Sequence, residues 1–226
     1  MNTHNNTIDS VAPHTILLIP GYGGTEGELT LGEQGKYLPH IHRTAFERHG
    51  KLHVYPWPLQ DIQPSPFNFL ACMRLYRTQS RMAREEATQQ HLRAYIQRTQ
   101  PTAIIAHSLG ARLFLNMYAQ NTTLPASVRA IFLTQGDVPR NMRVSIAPQH
   151  RFFCGYSPLD EMLWVSTVLN MRVPIGLFGW HTNGGGAAQN IYTPLRGYLR
   201  AKLPHNTLLR EKECIDAIFG VIREKE

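Results

Sequence analysis

Short apolar runs alternate along the chain with stretches whose apolar residues recur every three or four positions. The runs are 15–19 (TILLI), 52–55 (LHVY), 102–106 (TAIIA), 128–134 (VRAIFLT) and 151–156 (RFFCGY), with a weaker sixth at 188–193 (AQNIYT). The first four are short and apolar, which predicts strands buried on both sides, as in a parallel sheet. Helical spacing lies between them. One helix is predicted over 35–48. Another starts at Ser65 and Pro66, suited to a cap and a first turn, and its pattern reaches Leu92, Tyr95 and Ile96. A single helix from 66 to 98 is long for a small domain, so a break is predicted near 77–84. Leu109, Leu113 and Met117 share one stripe of a helix over 109–120. Ile215, Ile218, Phe219 and Ile222 mark the last helix. Strand alternating with helix predicts an α/β domain with right-handed crossovers.

One strand-to-helix junction stands apart. The run 102–106 leads into His107-Ser108-Leu109-Gly110-Ala111 and then the helical stripe. In a parallel sheet, ligands bind beyond the carboxyl ends of the strands. A chain reversing there around one residue crowds the positions two before and two after it. Here those are Ala106 and Gly110, both small. The pattern A-H-S-L-G is a one-residue variant of G-x-S-x-G, which lifts a serine hydroxyl out of a tight turn at the positive end of a helix. The alternative is a serine that merely caps the helix.

A second loop supports chemistry at this end of the sheet. The first strand runs into Pro20-Gly21-Tyr22-Gly23-Gly24, whose glycines let backbone N–H groups turn toward a developing oxyanion. The expected donors are the N–H groups of Tyr22 and Leu109. A phosphate-binding loop is the rival, but no G-K-[ST] follows, and Glu26 stands where G-x-G-x-x-G needs its third glycine.

Composition narrows the picture. The chain has 226 residues, 42% hydrophobic and 17% charged, enough for one domain with a sizeable core. No linker or repeat divides residues 1–226, and residues 1–13 read as a polar tail. No apolar run approaches the ~20 residues of a membrane helix. The N-terminus has no secretory leader pattern, and Cys72, Cys154 and Cys214 are odd in number and far apart. Free thiols and a cytoplasmic location are expected, with a mature secreted form the alternative. Neither a metal nor an organic cofactor is expected. The net charge is +7. Its Lys and Arg are dispersed, and Arg74, Arg77, Arg81 and Arg84 read as a solvated helix face beside Glu85 and Glu86. Nucleic acid is not expected as a partner. Peripheral contact with an anionic membrane remains compatible with the charge.

Together, IPGYGG and AHSLGA resemble the oxyanion loop and nucleophile elbow of the α/β-hydrolase superfamily of lipases, esterases and thioesterases. The resemblance covers about 15–223. It implies a mostly parallel sheet of about six strands with helices on both faces, without the family's two leading strands. Pro20 replaces the usual His before the loop glycine, and Ala106 the first elbow glycine. The family's order of Ser, then Asp or Glu, then His implies a triad. Asp137, Asp160 and Glu161 are the acids to weigh. YSPLDEML resembles the family's acid loop and favours Asp160, and Asp137 would place the acid one strand earlier. Asp160 is also a good helix cap. Among later histidines, His205 lies before the terminal helix, where the family's base sits, and His181 is the alternative.

The resemblance implies a serine hydrolase acting on a carboxylic ester, with a thioesterase or phospholipase as the neighbouring reading. An inactive hydrolase-fold binding protein is the reading from another class. Residues 57–80, with Trp57, Phe67, Phe69, Leu70, Met73 and Tyr76, would form a small cap or acyl-pocket wall, or simply pack on the sheet. Trp164 has the same two readings.

Overall fold

The computed structural model describes residues 14–21, 43–58, 69–120, 123–180, 188–192, 205, 209 and 212–223. The strands are β1 (His14–Ile19), β2 (Gly50–Val54), β3 (Ala103–His107), β4 (Ala130–Thr134), β5 (Arg151–Tyr156) and β6 (Ala188–Tyr192). They form one sheet in the order β2-β1-β3-β4-β5-β6. Every pairing is parallel. This is an α/β fold, and all six apolar runs are strands within two residues of their expected bounds.

The apolar runs have their expected cause. In β1, Leu17 and Ile19 enter one apolar core, and Ile16 and Leu18 enter the other. The first core is completed by α3 (Glu86–Thr99) and α4 (Leu109–Tyr118), through Leu92, Ile96, Leu113 and Phe114. The second is completed by α1 (Arg43–Glu47) and α7 (Lys212–Arg223), through Phe46, Ile215, Ile218, Phe219 and Ile222. The α7 stripe is the one its sequence spacing predicts.

The expected long helix is broken. α2 (Phe69–Met82) and α3 are separated at Ala83–Glu85. The carbonyl of Ala83 accepts from Asn116 Nδ2 at 2.8 Å and Gln89 Nε2 at 3.3 Å. Side chains thus satisfy a carbonyl at the chain bend. Of the helix predicted over 35–48, the described part is α1. Residues 1–13 and much of 57–80 lie outside the described residues. α5 (Glu161–Asn170) and the one-turn α6 (Ile175–Phe178) follow β5. No helix among the described residues is long and apolar enough to cross a membrane.

The strand order places a switch point between β1 and β3. From β1 the chain moves outward to β2, then returns past β1 to β3 and onward. Ligands of open parallel sheets bind in the crevice at such a point, beyond the strand carboxyl ends. Here those ends are Pro20-Gly21 and His107-Ser108.

Candidate active site

Ser108 links β3 to α4 with φ 52° and ψ −119°, outside both the helical and extended regions. Such backbone costs about 1–3 kcal/mol and persists only where the surroundings enforce it. Three contacts do so. The Ser108 N–H donates to Thr134 O at 3.1 Å, and Ser108 O accepts from the N–H groups of Ala111 and Asp137. Close packing explains the small neighbours. A Cβ on Gly110 would lie 2.3 Å from Ile19 O and 2.5 Å from Pro20 O. A Cβ on Gly21 would lie 2.7 Å from Ser108 Cβ and 3.3 Å from its Oγ. The backbone at Gly21 therefore passes directly against the serine. Leu109 opens α4, so its N–H has no acceptor inside that helix. Tyr22, the other expected oxyanion donor, lies outside the described residues.

The Asp160 and His205 side chains meet although 45 positions apart. His205 Nδ1–H donates to the Asp160 carboxylate, 2.9 Å from Oδ1 and 2.8 Å from Oδ2. That pairing directs the other ring nitrogen, Nε2, away from the acid as a proton acceptor. The His205 ring also packs on His107, the residue before Ser108, with centroids 4.8 Å apart. His107 is held in turn through Nδ1 and Thr134 Oγ1 at 3.1 Å. Burial of His205 opposes its charged form. The adjacent Asp160 carboxylate, with Glu161 and Asp137 further off, outweighs burial, and the His205 pKa is raised from its ordinary value.

Asp160 makes two kinds of contact at once. It caps α5 by accepting from the Leu163 N–H at 3.0 Å, and it orients His205. Gln135 Nε2 donates to Oδ2 at 3.0 Å, from a backbone at φ 46°. Gln135 carries no sequence motif; its only hint is its place directly after β4. Glu161, the next residue, is pushed toward its neutral form by burial, and the charge of Asp160 adds to this.

Asp137 is engaged elsewhere. Its carboxylate takes Arg112 Nη2 at 2.9 Å, Tyr76 O–H at 2.8 Å, Ser166 O–H at 2.7 Å and Arg172 Nη2 at 3.3 Å. Arg112 also donates to Asp137 O and to Ser80 Oγ. This buried cluster ties α2, α4 and α5 to the turn after β4, and the Asp137 N–H donates to Ser108 O. Tyr76, read either as acyl-pocket wall or as packing on the sheet, donates its hydroxyl here. Trp57 is buried, with Nε1 donating to Pro20 O at 2.9 Å, so it braces the glycine loop. Trp164 is half exposed on α5. Phe67 and His181 lie outside the described residues, as do the side chains of Phe69 and Leu70.

Cys154 is buried and unbridged, its thiol pushed up to about 12 by burial; Cys214 is also free. Among the described residues, no cluster of three or more His, Cys, Asp or Glu is placed to hold a metal ion. No protein-family model matches the chain, and no curated protein matches it.

Proposed function

We propose that the protein is a serine hydrolase of the α/β-hydrolase type, cleaving a carboxylic ester through an acyl-enzyme. The observation that carries this reading is the pairing of Asp160 with His205, whose ring packs on His107, the residue before Ser108. Strain at one serine, an aspartate-bound histidine packed on the preceding residue His107, and Gly21 set against the serine are separate features. Nucleophilic acyl transfer uses all three.

In this reading Ser108 Oγ attacks the ester carbonyl carbon while His205 Nε2 takes its proton. Asp160 holds the imidazole tautomer and stabilises the imidazolium that forms. The oxyanion is held by the Leu109 N–H, with Tyr22 as the second donor. His205 then protonates the departing alkoxide, leaving an acyl group on Ser108. Water, deprotonated by His205, releases the acid and restores the serine. Each backbone donor of this kind typically contributes about 3 kcal/mol to the barrier reduction.

Strand position adds support. The serine follows the third strand, the acid the fifth, and the histidine comes between the sixth strand and the final helix. That order is similar to the α/β-hydrolase arrangement without its two leading strands. The presence of all three side chains in their pairing order weighs against an inactive binding protein.

Turnover of p-nitrophenyl esters of graded chain length, alongside acyl thioesters, tests the proposal. Wild-type protein is expected to hydrolyse at least one ester, and Ser108→Ala to lose that activity while staying folded. Equal rates for the two proteins would contradict it. A preference for thioesters would keep the mechanism and change the substrate.

A further inference from the structure

α5 buries Leu163 and Ser166 and turns the opposite side outward. On that side Met162, Trp164, Val165, Val168 and Leu169 are exposed, and Met171 follows just past the helix. Val168 is 77% exposed and Met171 93%. An exposed side chain such as one of these is ordinary; a helix face made of them is not, and marks a binding surface.

Charge decides among occupants. From 139 to 180 the only acids are Asp160 and Glu161. Asp160 is fully buried, and both Glu161 carboxylate oxygens are shielded from solvent. The outward face of α5 therefore presents no negative charge. Its border is basic. Arg140 lies over the Phe178 ring at 5.9 Å, and Phe178 meets Trp164 edge-on at 5.9 Å. Arg143 is exposed on the Arg140 segment, whereas Arg172, next to Met171, has its guanidinium already tied to Asp137. A two-fold contact with a second copy would set this face against itself, bringing arginine toward arginine with no exposed acid from 139–180 to pair with. An apolar helix face bordered by arginines, on a chain of net charge +7, instead matches an anionic bilayer. Its acyl region takes the apolar side chains and its headgroups take the cations.

We propose that the exposed face of α5, with Arg140 at its border and Arg143 on the same segment, docks the protein on an anionic lipid surface. Asp160 caps this same helix, so docking would bring the Ser108 site to the lipid. The docking surface stands whether or not Ser108 is catalytic.

The test is co-sedimentation of the full chain, carrying Ser108→Ala to prevent lipid turnover, with two kinds of vesicle. One is phosphatidylcholine alone; the other contains about one third phosphatidylglycerol. Binding is expected to the anionic vesicles only, and to weaken as salt rises. The double variant Val168→Glu, Met171→Glu changes two exposed side chains, and its fold is checked by circular dichroism. Its binding is expected to fall roughly tenfold or more, since two apolar side chains no longer enter the acyl region. Trp164 emission should shift to the blue on vesicles, and Trp164→Phe should remove the shift, because Trp57 and Trp180 are already buried. Sedimentation with neither vesicle would overturn the proposal. So would a concentration-dependent dimer that the double variant dissolves, which would assign the face to a second copy. Equal binding to both vesicles would overturn the anionic assignment.

Discussion

Asp137 and Asp160 are both buried aspartates following neighbouring strands, and neutralising each should have opposite consequences. Both Asp137 oxygens accept hydrogen bonds from two side chains: Oδ2 from Arg112 and Tyr76, Oδ1 from Ser166 and Arg172. In Asp137→Asn, whichever way the amide turns, its NH2 faces an arginine, which cannot accept. Arg112, at 2% exposure, loses its counter-charge. Breaking a buried ion pair from one side costs about 3–5 kcal/mol. For a chain of this length, that corresponds to a fall in Tm of about 6–20 °C. Turnover by the folded protein, assayed well below Tm, should stay within about tenfold, because Asp137 touches the elbow through its backbone N–H. Asp160→Asn should do the reverse. Asparagine remains a good N-cap for α5, and Gln135 and His205, unlike an arginine, can turn or change tautomer to accept from its amide, so Tm should fall less than in Asp137→Asn. Its amide nitrogen, however, favours the wrong His205 tautomer, and loss of the orienting carboxylate lowers kcat by about 10⁴ in triads of this kind. Thermal melts and ester turnover on the two variants decide the matter. A stable, inactive Asp137→Asn beside an active Asp160→Asn would refute the assignment of the acid.

Other outcomes follow from the same geometry. Ser108→Gly should be inactive yet more stable than Ser108→Ala by about 1 kcal/mol, because glycine accepts positive φ without strain; parallel denaturant melts measure the difference. Gly110→Ala should destabilise by about 1–3 kcal/mol despite alanine's better helix propensity, since its methyl would meet the Ile19 and Pro20 carbonyls. His205 must be neutral to act as base, and its pKa is raised, so kcat/KM should climb through a pH above the ordinary histidine value. Glu161→Gln, which removes one negative charge favouring the imidazolium, should move that limb to lower pH. Stability carries the matching sign. The contribution from His205 is complete below its unfolded pKa and is lost as pH rises through the higher folded value. Native protein should show no alkylation at Cys154, whose thiol is buried and held at about 12; peptide mapping after iodoacetamide treatment checks this.

Much of the fold is legible in sequence because the sheet is buried on both faces. Strands such as Ile16–Ile19 and Ile104–Ala106 need apolar residues at successive positions, which few other structures require. β6 is weaker in sequence for a physical reason: it is the sheet's edge, with Gln189, Asn190 and Tyr192 exposed. The turn at Ser108 is legible because crowding there leaves no room for a side chain at Gly110, against the Ile19 and Pro20 carbonyls. The Asp137 cluster is not legible. Its partners Tyr76 and Ser166 come from helices 90 positions apart, and neither belongs to a local pattern. α6 is too short for periodicity to register. The exposed face of α5 misleads in the other direction, since apolar residues along a helix read as core until the neighbouring elements are placed.

The most direct test of the central claim is intact mass after treatment with a fluorophosphonate, which bonds only to an activated serine. The account predicts one adduct on the wild-type protein, none on Ser108→Ala, and slow labelling on His205→Ala. Folded wild-type protein that gains no mass, or labels equally with Ser108 replaced, would contradict it.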